Sequence, residues 1–91
     1  MNELKKQREI IDDIDKEMAK LFEKRLETVS EVAAIKKEKG LLILDRNREA
    51  EVIKKNLHYI KQEKHYPYYH QFIEMVMSIM KEYQKDKNSE E

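Results

Sequence analysis

Arg25 stands where an apolar residue belongs. From Leu4 onward the chain repeats an apolar seam at heptad-like spacing through Ile11, Ile14, Met18, Leu21, Val32 and Ile35, with Gln7, Arg25 and Thr28 in the same seam. A seam arginine faces an interior, and burying a guanidinium without a partner is costly. Either a protein carboxylate pairs with it or the anion of a ligand does, and the structural ion pair is the more common outcome. Lys36 follows Arg25 by eleven residues; at about 100° per residue it returns to within roughly 20° of the same helix face. The two side chains can converge over Thr28 and Val32 on one small anion. Arg8 precedes Arg25 by seventeen residues, which on a helix is roughly 25 Å of axis. It reaches the same ligand only from a second copy of the helix packed antiparallel.

Two further groups carry polar chemistry. Asp45, Arg48 and Glu49 have the spacing i, i+3, i+4 and share one face of a helix. They read either as a helix cap with a surface ion pair or as the polar wall of a site. Gln84 has Ile73, Met77 and Met80 as neighbours on its face, while Ser78 and Glu82 lie on the opposite flank near Glu74. It is either a helix-end residue or a neutral donor aimed into a pocket. The remaining candidates read as structure. His58, His65 and His70 lack the spacing of metal ligands, so no metal is expected. Met75, Met77 and Met80 are core filler, and Tyr66, Tyr68 and Tyr69 around Pro67 form a packed turn. There is no glycine-rich phosphate loop and no setting for a serine or cysteine nucleophile.

The elements that must hold these residues are helices. The 91 residues are 42% charged and include one glycine, one proline and no cysteine. That excludes a disulfide scaffold and a hairpin-rich β protein. The pattern predicts a first helix from Asn2 to Lys39, stopped by Gly40, and a second from Arg46 to about Gln62, capped by Asp45. A third opens at Pro67. The second buries Val52, Ile53, Leu57 and Ile60; the third carries Phe72, Val76, Ile79 and Tyr83 on one face. A single domain over residues 1–84 and a frayed or disordered polar tail over 85–91 are expected. The first helix, roughly 55 Å long, outreaches the cover that two shorter helices offer, so a second copy of the chain is expected to supply it.

Lys+Arg and Asp+Glu number 19 each, with net charge +0. Bases and acids alternate, as in Lys36-Lys37-Glu38-Lys39, so neither a nucleic acid nor a membrane surface is an expected partner. No apolar run is long enough to span a bilayer and the N-terminus lacks a signal core, so a cytoplasmic protein is expected. Met1 and the polar tail fit a complete chain.

The segments Arg8-Glu9-Ile10-Ile11-Asp12-Asp13-Ile14-Asp15, Leu21-Phe22-Glu23-Lys24-Arg25, Val32-Ala33-Ala34-Ile35-Lys36 and Asp45-Arg46-Asn47-Arg48-Glu49 together resemble the all-helical (AroQ-type) chorismate mutases. The resemblance covers about Glu3 to Gln84 and runs from Arg8 through Glu49 without a gap. It implies an all-α fold with three helices per chain, one very long, in an intertwined homodimer with shared active sites. It implies rearrangement of chorismate to prephenate, in phenylalanine and tyrosine biosynthesis, without cofactor, metal or covalent intermediate. Arg25 would grip one substrate carboxylate, Lys36 would reach the other and the ether oxygen, and Arg8 of the partner subunit would hold a carboxylate. Arg48 would add positive field, Glu49 with the backbone near Asp45 would accept the ring hydroxyl, and Gln84 would donate to the ether oxygen opposite Lys36. The chain departs from the family at Met80, where a serine is usual. An alternative register pairs Ser78 with Glu82. Two other functions stay open: an isochorismate-pyruvate lyase on the same scaffold, which Asp45 to Glu49 disfavours, and a helical dimerisation module, which leaves Arg25 and Lys36 unexplained.

Overall fold

A computed structural model describes residues 2–89; Met1 of the expected domain, and Glu90 and Glu91 of the expected tail, lie outside the described residues. The chain forms three α-helices, α1 (Asn2–Lys39), α2 (Arg46–His58) and α3 (Tyr66–Ser89), with a 3-10 turn at Glu63–His65. The all-α architecture with one very long helix is the one expected.

The local reasons are legible in the caps. α1 has no breaker along its 38 residues and ends at Gly40, whose φ of 67° only glycine adopts cheaply. The Leu41 amide donates to the Lys36 carbonyl (2.8 Å) and the Gly40 amide to Lys37 (3.3 Å). This is the Schellman closure, which satisfies carbonyls the helix end leaves unpaired. Asp45 sits in extended backbone and its carboxylate accepts the Arg48 amide (3.0 Å), starting α2. α2 stops at His58, short of the expected Gln62. The Tyr59 and Ile60 amides turn back on the Asn56 and Leu57 carbonyls, a tightened last turn that lets Ile60 fold under while the chain swings into α3. The hydroxyl of Tyr69 donates to Asn56 (3.0 Å), so the tyrosine-rich turn is pinned by one hydrogen-bonded phenol.

α3 packs on both α1 and α2. Val52, Ile73 and Met77 form the core with Ile53, Tyr69 and Val76 against them, and Val29, Ala33 and Met80 are also buried. Ala33 is fully buried; its small side chain lets α1 and α3 approach closely. The expected face of α3 is corrected here. The buried row is Ile73, Met77, Met80 and Gln84, whereas Phe72 and Ile79 are exposed. The helix carries an apolar arc wide enough for both rows, and α1 and α2 cover only one of them. Beyond Gln84, α3 continues over Lys85 to Ser89 as helix, and the Asn88 side-chain Nδ2 donates to the Ala33 carbonyl (3.4 Å) while Lys37 Nζ donates to the Asn88 carbonyl (3.2 Å).

From Asn2 to Lys24 every residue of α1 is exposed, including the seam residues Leu4, Ile11, Ile14, Met18 and Leu21. The molecule measures 56 × 29 × 14 Å, its long dimension set by α1.

Candidate active site

The second half of α1, the connector, α2 and α3 enclose an open cleft. α1 contributes Arg25, Val29, Val32 and Lys36; the connector Ile43 and Asp45; α2 Arg48, Glu49 and Val52; α3 Met77, Met80, Lys81 and Gln84. Its floor is apolar and its walls carry convergent charged groups, the composition of a small-ligand site. A second hollow, lined by Ile60, His65, Tyr68, Tyr69 and Phe72, has no comparable polar wall.

Each cleft residue is placed by a local cause. Arg25 lies on the face of α1 that turns towards α2 and α3, and is half-buried. Burial holds its pKa below the ordinary value, the nearby charge of Arg48 adds to that, and Tyr69 partly offsets it. Among the described residues no carboxylate pairs with it. The choice the seam arginine posed, protein carboxylate or ligand anion, therefore falls away from the protein carboxylate within the chain. The Lys36 ammonium donates to the Ile43 carbonyl (2.8 Å), which fixes it over the cleft and leaves N–H donors free for a ligand.

Asp45 caps α2 and its backbone lies at the cleft rim. The ion pairs of the neighbouring residues diverge. Arg48 pairs with Glu51 at 2.6 Å on the outer side of α2, and Glu51 is shared with Lys55 at 3.1 Å. Glu49 crosses to Lys81 of α3 at 2.7 Å. The cap reading of Asp45 holds; a direct Arg48–Glu49 pair does not form. Gln84 is 7% exposed, and its Oε1 is buried with no hydrogen-bond partner. A half-turn of the amide exchanges that acceptor for a donor, so the residue presents an unused hydrogen-bonding end among apolar neighbours. An orphan of this kind makes Gln84 a candidate contact for a ligand group.

The cleft therefore gathers six of the residues singled out in the sequence: Arg25, Lys36, Asp45, Arg48, Glu49 and Gln84. Ser78 and Glu82 are exposed and outside it, and Met80 lies buried where a serine was noted as usual. Arg8 is exposed on the first half of α1, far along the helix from the cleft. Lys81 was missed. Its signal was the helical spacing of Met77, Lys81 and Gln84, which puts a cation on the row that carries the glutamine. Among the described residues no group of His, Cys, Asp or Glu side chains is arranged to hold a metal ion, and no helix is long and apolar enough to cross a membrane.

A family model described as chorismate mutase type II matches residues 7–85, a span that holds every residue of the cleft. No curated protein and no solved structure matches the chain.

Proposed function

The chain belongs to the chorismate mutase type II family, and from that premise we propose that it converts chorismate to prephenate, a step of phenylalanine and tyrosine biosynthesis, in the cleft between α1, α2 and α3. The observation that carries the reading is the charge balance of the cleft. Lys81 is matched by Glu49 and Arg48 by Glu51, while Asp45 is spent on the cap of α2. Among the described residues Arg25 and Lys36 are the cleft cations without a carboxylate, and chorismate is a dicarboxylate.

The chemistry needs little else. In the Claisen rearrangement one C–O bond breaks as one C–C bond forms within a single molecule, so no nucleophile and no proton transfer is required. The catalyst holds the flexible dicarboxylate in its compact reactive conformer and stabilises the negative charge that grows on the ether oxygen. Arg25 grips one carboxylate by a two-pronged contact. Lys36 reaches the other carboxylate and the ether oxygen, and Gln84 donates to that oxygen from the opposite wall. Arg48 adds positive field, and Glu49 with the backbone near Asp45 accepts the ring hydroxyl. Val29, Val52, Met77 and Met80, all buried, give the floor low polarity, which strengthens each of these contacts.

The active unit is a homodimer. An antiparallel second copy covers the exposed apolar seam of α1. It also delivers Arg8 of one chain to the cleft of the other, twice over by two-fold symmetry.

The test is loss of chorismate absorbance with purified protein, followed by identification of the product. Prephenate is expected. Pyruvate released from isochorismate in a parallel assay, with chorismate untouched, would make the protein an isochorismate-pyruvate lyase relative instead, and no turnover of either substrate would leave a helical dimerisation module.

A further inference from the structure

The geometry points to Lys81 as a positioning residue for Glu49, and through it as a determinant of how strongly the site demands the ring hydroxyl of its substrate. This rests on the reading of the cleft as a chorismate site. Lys81 Nζ lies 2.7 Å from Glu49 Oε1, and the two side chains are 33% and 26% exposed. Both line the cleft. The contrast is with Lys20–Glu17, a pair 3.4 Å long with both side chains about two-thirds exposed (68% and 67%) and both on one helix. An exposed pair of that kind contributes little; one drawn out of water is felt more strongly.

The pair joins α3 to α2 across one wall of the cleft. Glutamate is long and flexible, and a free Glu49 would lose that freedom on each binding event. Held at Oε1 by an ammonium, its carboxylate is ordered before substrate arrives. A carboxylate has acceptor sites for several donors, so the pair leaves capacity for a hydroxyl. Lys81 is not a clamp for a substrate carboxylate, because its charge is already matched by Glu49, unlike that of Arg25. It acts on the substrate through Glu49 alone.

The experiment measures kcat and KM for Lys81→Met, Lys81→Gln and Lys81→Arg on chorismate and on its analogue with hydrogen in place of the ring hydroxyl. On chorismate, Lys81→Met and Lys81→Gln are expected to raise KM roughly tenfold, the scale of one hydrogen bond to a charged group, with kcat within about threefold. Lys81→Arg restores most of the loss. On the analogue, wild type and all three variants share the same KM, because Glu49 has no hydroxyl to receive. Two neutral variants are used so that the folding of one does not decide the matter. An unchanged KM on chorismate overturns the inference, and so does an equal loss on the analogue, which would put Lys81 on another part of the substrate. Wild type is the reference: if it turns over chorismate while the variants match it, only the role of Lys81 falls. If it does not turn over chorismate, the function and the inference fall together.

Discussion

Arg25 carries an unbalanced charge in the free chain. Burial and the neighbouring Arg48 both lower its pKa, so the charged form is less favoured in the folded chain than in the unfolded one. Arginine stays protonated at any ordinary pH, so this is a constant cost with no pH window of its own. Removing the charge should therefore spare the fold and ruin the function, the trade-off expected of a strained site. Arg25→Met should melt at the same temperature as wild type or higher, while turnover drops by roughly 10²-fold or more. A clear fall in melting temperature would mean the guanidinium is structural. Lys36→Ala should likewise lower turnover by roughly 10²-fold, the scale for one preorganised donor, with little change in a thermal melt; near-normal turnover would remove Lys36 from the mechanism. Gln84 is tested by pH. A neutral amide donates at every pH, so the wild-type rate should be nearly flat across neutrality. The carboxyl of Gln84→Glu donates only when protonated, so its profile should shift to acid. Retained activity at pH values near 8 would show that Gln84 does not face the ether oxygen.

At the scale of elements, the punctuation of the chain was readable and the packing less so. Gly40 and Asp45 mark the end of α1 and the start of α2 because each does a local job: one adopts positive φ, the other accepts a backbone N–H. Asp45 also separates two roles by substitution. Asn caps as well as Asp, whereas Ala costs about 1 kcal/mol. Asp45→Asn should keep the melting temperature and Asp45→Ala should lower it; equal melting of the two would remove the cap from the account. The end of α2 was not readable, because Tyr59 to Gln62 have no breaker, and what marks it is a tightened last turn with a long-range tie from the Tyr69 hydroxyl to Asn56. The face of α3 was missed for a related reason. Two adjacent apolar rows compete, and periodicity does not say which one the neighbouring helices cover. Six residues of the candidate cleft were legible: Arg25 and Gln84 because they stand beside apolar residues, Lys36 by its spacing from Arg25, and Asp45, Arg48 and Glu49 by sharing a helix face; Lys81 escaped because a lysine beside a glutamate looks like solvent-facing surface.

The whole molecule is elongated, with a long apolar seam on the surface of α1. A chain of this size stabilises little core alone, and Arg8, on which the proposed site draws, lies roughly 25 Å up the same helix from Arg25. The proposed second copy would supply both the cover and Arg8. The direct measurement is complementation between two inactive variants. Arg8→Ala and Arg25→Ala should each give a nearly inactive protein. Unfolded together and refolded, they form mixed dimers in which one site draws Arg25 from the Arg8→Ala chain and Arg8 from the Arg25→Ala chain. The other site lacks both. With half the dimers mixed and one site in two intact, prephenate formation should return to roughly a quarter of the wild-type rate. No recovery, with mixed dimers verified by mass, would contradict an active site built from two chains.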